Sequence, residues 1–187
     1  MEHPFLIGER IYLRGVEKKD LSGEYYDWMN DYEVTRYLES GRFPNSQEGM
    51  EAYYQSRVNN PNEVFLAVVL KENDRHIGNV KLGPINWIHR HAEFGILIGA
   101  KDCWNKGYGT EATVLLMDYA FKKLNLHKII LGVVAEHKAA IKVYENIGFI
   151  KEGEIRDYLF IDNSYKAKVF MGLTADRFYE KNKDFKG

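Results

Sequence analysis

The chain of 187 residues has one cysteine, Cys103, four prolines, and almost no net charge: 26 Lys and Arg against 27 Asp and Glu leave −1. One cysteine cannot form an internal disulfide, so the fold must be held by its core. Near-neutrality excludes a global field that would gather nucleic acid or an anionic membrane. No apolar run approaches the roughly 20 residues that a membrane span needs. The first residues, Met1-Glu2-His3-Pro4-Phe5, lack the basic region and apolar stretch of a signal peptide. The expectation is a cytoplasmic protein with neither nucleic acid nor membrane as partner.

What is present is ordinary in bulk, 45% apolar and 28% charged, and suits a single domain with a full-sized core. The aromatics stand out: 13 Tyr, 10 Phe and 3 Trp. Many are core, but tyrosines also suit an amphipathic binding cleft.

Periodicity predicts a strand at 11–14, a short helix capped by Asp20 and running to Met29, and a further turn opened by Asp31. A helix at 47–58 follows, begun by Ser46 and stopped before Asn59-Asn60-Pro61. Strands at 64–70, 77–85 and 92–98 form an antiparallel meander. After a polar loop at 100–106 comes an amphipathic helix at 110–124, its buried stripe set by Ala112, Leu115, Leu116, Tyr119, Ala120 and Leu124. The apolar strand 128–134 reads as buried on both faces, which closes a β-α-β unit. A helix at 139–147 ends on Gly148, placed for the left-handed conformation. Strands 149–160 and 165–173 complete the pattern. The domain is expected over 8–180, with 181–187 a frayed tail.

The stretch Trp104-Asn105-Lys106-Gly107-Tyr108-Gly109-Thr110 organises the chemistry. Two glycines one residue apart let the backbone turn tightly and approach a ligand. A helix opening behind them offers unpaired N–H groups and a positive dipole end, an anion site of the kind that takes phosphate. Gly107-x-Gly109-x-x-Ala112 matches the dinucleotide fingerprint, but eight residues separate it from the preceding strand, where a dinucleotide fold runs straight in. A P-loop is excluded because no Gly-Lys-Ser/Thr follows at the required spacing.

This loop resembles the pyrophosphate loop, Arg/Gln-x-x-Gly-x-Gly/Ala, of the GNAT superfamily of acyl-CoA-dependent N-acetyltransferases, with Trp104 at the Arg/Gln position. The segment Ala140-Ile141-Lys142-Val143-Tyr144-Glu145-Asn146-Ile147-Gly148-Phe149 is similar to the same family's Asn-x-x-Ala-Ile-x-x-Tyr-Glu-Lys-x-Gly-Phe, with His137 at the Asn position. The resemblance extends through two strands to Leu173, and within the superfamily it is to the ribosomal-protein N-terminal and spermidine acetyltransferase branch. It implies an α/β (α+β) fold: a mixed, mostly antiparallel twisted sheet of about seven strands flanked by helices, around a central β-α-β cofactor unit.

The resemblance implies acetyl-CoA as cofactor and a primary amine as acceptor. Cofactor contacts are expected from Ile96, Leu97 and Ile98 alongside the pantetheine arm, from Trp104, Asn105, Lys106, Gly107, Tyr108, Gly109 and Thr110 at the pyrophosphate, and from His137. Direct attack of the amine needs an oxyanion contact, a base and an acid. Tyr144 is the candidate acid, because a phenol is neutral at physiological pH and can donate to a thiolate. Glu93 is the candidate base, with His89 and His91 as alternatives. His89-x-His91 lacks a third ligand, so no metal is expected, and Cys103 has no placed base for covalent chemistry. The acceptor is expected among Trp28, Asn30, Tyr32, Glu33, Tyr37, Phe43, Trp87, Tyr158 and Phe160, where aromatic faces and carboxylates, Glu39 and Asp157 included, suit a cation or a sugar. A polyamine or amino sugar leads; a protein N-terminus, or CoA or dinucleotide binding without catalysis, are the alternatives. A homodimer is an allowed assembly.

Overall fold

The structure is a computed structural model that describes residues 1–183. The chain falls into two compact units, Met1–Gly83 with Gly95–Leu116, and Pro84–Phe94 with the residues from Met117 on.

In the first unit, β1 (Leu6–Ile7) pairs antiparallel with β2 (Ile11–Gly15). Helices α1 (Glu24–Met29), α2 (Tyr32–Thr35) and α3 (Gln47–Val58) follow, then β3 (Val64–Leu70), β4 (His76–Leu82), β5 (His91–Ile98) and α4 (Tyr108–Lys122). The strand order is β1-β2-β3-β4-β5. Gly99 N–H and Ala100 N–H both donate to the Ile77 carbonyl, tying the end of β5 to the start of β4. Alternate residues of β2 face opposite ways, and Ile11, Tyr12, Leu13 and Arg14 are all buried, so this strand is covered on both faces. Tyr12, Val16, Ala67 and Val69 form one cluster, against which Tyr54 and Phe65 pack.

The second unit takes the start of β5 and the end of α4. It adds β6 (Lys128–Val134), α5 (Lys138–Ile147), β7 (Ile150–Ile161), β8 (Ser164–Thr174) and α6 (Ala175–Lys181). Its strand order is β5-β6-β8-β7. β5 and β6 run parallel, His91 beside Lys128 and Glu93 beside Ile130, while the β6–β8 and β8–β7 pairs are antiparallel. The fold is the expected mixed, mostly antiparallel sheet with helices, in eight strands where periodicity finds seven. The extra strand, β1, has two residues, too few to show alternation.

Several local expectations are corrected. Asp20 does not cap a helix running to Met29. Residues 18–21 form a separate 3-10 turn, and Gly23, at φ 80°, breaks the chain before α1. The Asp20 carboxylate instead takes Arg14 Nη1 and Nη2, both at 2.7 Å, and the Glu17 N–H at 2.8 Å. β4 stops at Leu82, three residues early, because Gly83 has φ 152° and Pro84 has no N–H for the ladder. α4 begins at Tyr108 and ends at Lys122, with Asn125 at φ 54° turning the chain away. β6 is fully buried on one face only: Ile129, Leu131 and Val133 are buried, while on the other face Val134 is buried and Lys128, Ile130 and Gly132 are half-buried. β7 is twice out of step with β8, between Lys151 and Gly153 and between Ile155 and Leu159, with Asp157 at φ 50° inside the second irregularity. Of the expected frayed tail, 181–183 close α6, and 184–187 lie outside the described residues.

The Arg14–Asp20 pair is buried in the first unit, with side chains only 4% and 5% exposed. Burial pushes the Asp20 carboxyl up, but the Arg14 guanidinium and the Glu17 N–H outweigh it and hold it below the ordinary carboxylate value. A carboxylate depressed in this way stabilises the fold above its unfolded pKa, and that stability is lost as pH falls through the folded value. Asp20→Asn leaves the Arg14 charge buried without its counter-charge, at an expected cost of about 3–5 kcal/mol. Denaturant unfolding from pH 7 to pH 3 checks both points: the wild type loses stability below about pH 4, and the variant lacks that part of the slope.

Candidate active site

The first unit holds the phosphate-type loop. β5 ends at Ile98, a 3-10 turn spans Lys101–Cys103, and α4 opens at Tyr108. Arg75 secures the start of the loop by bridging Asp102 and Glu24, with its Nη1 2.8 Å from Asp102 and its Nη2 2.8 Å from Glu24. The Trp104 indole N–H donates to the Ile98 carbonyl at 2.7 Å. It is therefore spent inside the protein and is not a phosphate donor. Asn105 at φ 58° and Gly107 at φ 83° turn the chain through left-handed conformations, which asparagine and glycine tolerate best. A Cβ at Gly109 would meet Ile98 and Ile96 side chains at 3.5 and 3.6 Å, so those residues of β5 lie against the loop. Ile96, Leu97 and Ile98 are half-buried, whereas Ala92 and Phe94 on the same strand are buried.

The loop's hydrogen bonds are one-sided. Its carbonyls are taken: Lys106 C=O by Arg10 Nη1 at 2.8 Å, Gly107 C=O by the Glu111 N–H at 3.0 Å, and Gly109 C=O by the Thr113 hydroxyl at 2.7 Å. The N–H groups of Gly107, Tyr108, Gly109 and Thr110 donate to no acceptor among the described residues. Donors turned outward at the head of a 15-residue helix make an anion-binding surface. These residues fit the pyrophosphate of coenzyme A. Lys106 and Asn105 are exposed beside them.

The second unit holds Tyr144 and Glu93. Tyr144 lies on α5 with its ring edge-on to Phe94 and Phe149, centroids 6.3 and 5.7 Å away. Its hydroxyl makes no hydrogen bond among the described residues, and burial pushes its pKa up to about 12. His137 precedes α5 half-buried, and burial lowers its pKa, favouring the neutral ring. The Glu93 carboxylate is exposed on β5, with no ion pair among the described residues. Arg90, three residues upstream, reaches Asn125, at 2.7 Å to the carbonyl and 2.9 Å to the side chain. His89 and His91 stack, centroids 6.3 Å apart, and no group able to hold a metal ion occurs among the described residues. Cys103 is buried, and burial followed by the Asp102 charge pushes its thiol up, the wrong direction for a nucleophile.

The acceptor candidates separate. Trp28 is buried: its ring packs on Gly99, where any side chain would collide with it, and on His76 at 5.2 Å. It is core, not an open contact, because a ring that fills the space over a glycine has little face left. Glu33 and Asp31 share the Lys101 ammonium, each at 2.7 Å. Asn30 is occupied with the Tyr26 and Asn45 carbonyls. Tyr32, Tyr37, Phe43 and Trp87 are exposed. So are Tyr158 and Phe160 on β7, and the Lys168 ammonium lies 5.3 Å from the Tyr158 ring centre. Arg10, Glu111 and Lys168 were missed by sequence reasoning. Arg10 lies far upstream of the loop, and no spacing rule links the two.

Comparison with known proteins gives the family and the fold. The family described as Acetyltransferase (GNAT) domain matches residues 10–150. The chain is 30% identical over 176 residues to spermidine N(1)-acetyltransferase of Vibrio cholerae, covering 94% of this chain and 99% of that protein. It is 31% identical over 179 residues to the Escherichia coli K12 protein of the same name, covering 92% and 90%. Among solved structures, spermidine N-acetyltransferase from Vibrio cholerae in complex with CoA and spermine superposes with a TM-score of 0.83 at 31% identity, over 90% of this chain and 98% of that one.

Gly107→Ala puts a side chain at φ 83° and within 3.2 Å of the Arg10 guanidinium. The expected cost is about 1–2 kcal/mol, read as a lower unfolding midpoint.

Proposed function

Since this chain belongs to the GNAT acetyltransferase family, we propose that it moves the acetyl group of acetyl-CoA onto a primary amine of a polyamine of the spermidine class. It is an acyl-CoA-dependent N-acetyltransferase. The polyamine reading rests on the two relatives named above and on the solved complex with CoA and spermine. Carboxylates that already hold a primary ammonium, Asp31 and Glu33 on Lys101, are compatible with it.

Coenzyme A supplies the thioester and, on transfer, a thiolate leaving group. The protein's part is to hold, orient and move protons. The free N–H groups of 107–110 take the pyrophosphate, with Lys106 as an added charge. Ile96, Leu97 and Ile98 flank the pantetheine arm as an added strand would, and His137 donates to it. A β5 N–H at Ile96 or Leu97 faces the acetyl oxygen. Glu93 accepts the proton of the attacking ammonium, directly or through water. Tyr32, Glu33 and Tyr37 of the first unit, and Trp87 and Tyr158 of the second, are the candidate contacts for the acceptor.

The observation that carries the reading is the Tyr144 hydroxyl. It is a phenol with no acceptor among the described residues and a pKa of about 12, so it keeps its proton at every working pH and delivers it to the departing sulfur. The cytoplasm as compartment is in keeping with the single unpaired cysteine. A homodimer is in keeping with exposed Ile155, Tyr158 and Phe160 on β7, the end strand of its sheet; light scattering tests it.

Thiol release from acetyl-CoA is expected with spermidine and spermine, and weaker or absent release with amino sugars and peptides. Release with no amine at all would sink the proposal. Tyr144→Phe is expected to lower kcat by about 100-fold or more, with KM little changed. Because the acid's pKa is about 12, the wild-type profile of kcat against pH has no falling limb from this group below about pH 11. An unchanged kcat in Tyr144→Phe contradicts the assignment. Glu93→Gln is expected to lower kcat/KM by about 100-fold.

A further inference from the structure

The loop that takes phosphate has lost the charged first residue of its motif to Trp104, whose indole is spent on Ile98. A charge reaches the loop from elsewhere. The Arg10 guanidinium donates through Nε to Glu111 Oε2 at 2.9 Å and through Nη1 to the Lys106 carbonyl at 2.8 Å. It lies over the Tyr108 ring, 4.9 Å from its centre, and Nη2 is 3.2 Å from where a side chain at Gly107 would begin. Glu111 is held in turn: its Oε1 accepts the N–H groups of Arg10 at 2.8 Å and Ile11 at 3.2 Å. The clasp therefore joins the start of β2 to the first turn of α4.

One peptide geometry makes this clasp matter. In a trans peptide the C=O and the following N–H point in opposite directions. Fixing the Lys106 carbonyl on Arg10 forces the Gly107 N–H to the other side. Gly107, at φ 83°, is where the chain is freest to flip. Without a partner on the Lys106 carbonyl, that peptide can rotate and present an oxygen where a phosphate needs a donor. We propose that Arg10 is a positioning residue for the cofactor's phosphates: it locks the peptide between Lys106 and Gly107 so that the loop presents N–H groups and no carbonyl. The proposal rests on the coenzyme A reading of the loop. Arg10 acts through the loop, and its forked guanidinium suits the task because it engages Glu111 and Lys106 together.

The test compares ligands with and without phosphates. Dissociation constants for CoA and for pantetheine, which lacks the pyrophosphate, are measured by calorimetry on the full chain for the wild type, Arg10→Gln and Arg10→Lys. KM for acetyl-CoA, kcat and the unfolding midpoint are followed alongside. Arg10→Gln is expected to weaken CoA about tenfold and raise KM for acetyl-CoA to match, about 1.4 kcal/mol, while pantetheine binding and kcat at saturation stay within about twofold. Arg10→Lys is expected to recover only part of the loss, since one ammonium cannot span both acceptors. Equal weakening of CoA and pantetheine, or no change in either, overturns the positioning role. Full recovery by lysine also overturns it, because charge alone would then suffice. If the wild type binds CoA no better than pantetheine, the phosphate reading of the loop fails, and the Arg10 proposal with it.

Discussion

A loop that binds an anion through its backbone must leave N–H groups unpaired and still keep one shape. Free donors offer nothing to hold them in place, so order has to come from the other half of each peptide. In this protein it does. The carbonyls of Lys106, Gly107 and Gly109 are each taken, by Arg10, by the Glu111 N–H and by the Thr113 hydroxyl. Trp104 pins the loop to Ile98, and Arg75 pins its beginning to α1. With these three carbonyls occupied, the N–H groups at 107–110 are left without an acceptor among the described residues. The positive end of α4 adds to their field.

The same division of labour runs through the second unit. The Tyr144 ring is held by Phe94 and Phe149, yet its hydroxyl has no acceptor among the described residues. An internal hydrogen bond would fix the proton on a structural partner, and the proposed role as acid needs a phenol without one. Glu93 shows the same contrast beside Arg90, whose guanidinium is committed to Asn125. Charged groups with structural duties are paired. Arg14 and Asp20 pair in the core, Glu111 accepts from Arg10 and Ile11, and Lys101 bridges Asp31 and Glu33. Whether a charged group works or supports is thus visible in what it already touches.

Much of this was legible before any coordinates. The elements α3, β3, α4, β6 and α5 fall within two residues of their expected bounds: α4 and α5 show a helical stripe, β3 and β6 are apolar runs between turns, and α3 is bounded by its Ser46 cap and by Asn59-Asn60-Pro61. Gly148 ends α5 at φ 123°, as a residue without a Cβ can. The readings that failed were those in which a residue had two uses. Asp20 has the chemistry of a helix cap, but a buried guanidinium is a stronger partner for a carboxylate than a pair of backbone N–H groups. Trp28 has the chemistry of a binding face, but Gly99 leaves a hollow that its ring fills. β6 has the composition of a strand buried on both sides, but one of its faces stays partly open.

The order of elements, the glycines of the loop, the helix behind them and the Tyr144 segment are written along the chain, because each depends on neighbours a few residues away. They are sufficient to point to an acetyl-CoA-dependent transferase. The partners of those residues are not written there. Arg10 reaches Lys106 and Glu111 across about a hundred positions, and Lys101 chooses Asp31 and Glu33 from many carboxylates. Such pairings depend on which surfaces the packed sheet brings within 3 Å, a long-range outcome of folding that local spacing does not encode. Which groups could act was therefore decided by the sequence, and which were left free to act was decided by the tertiary structure.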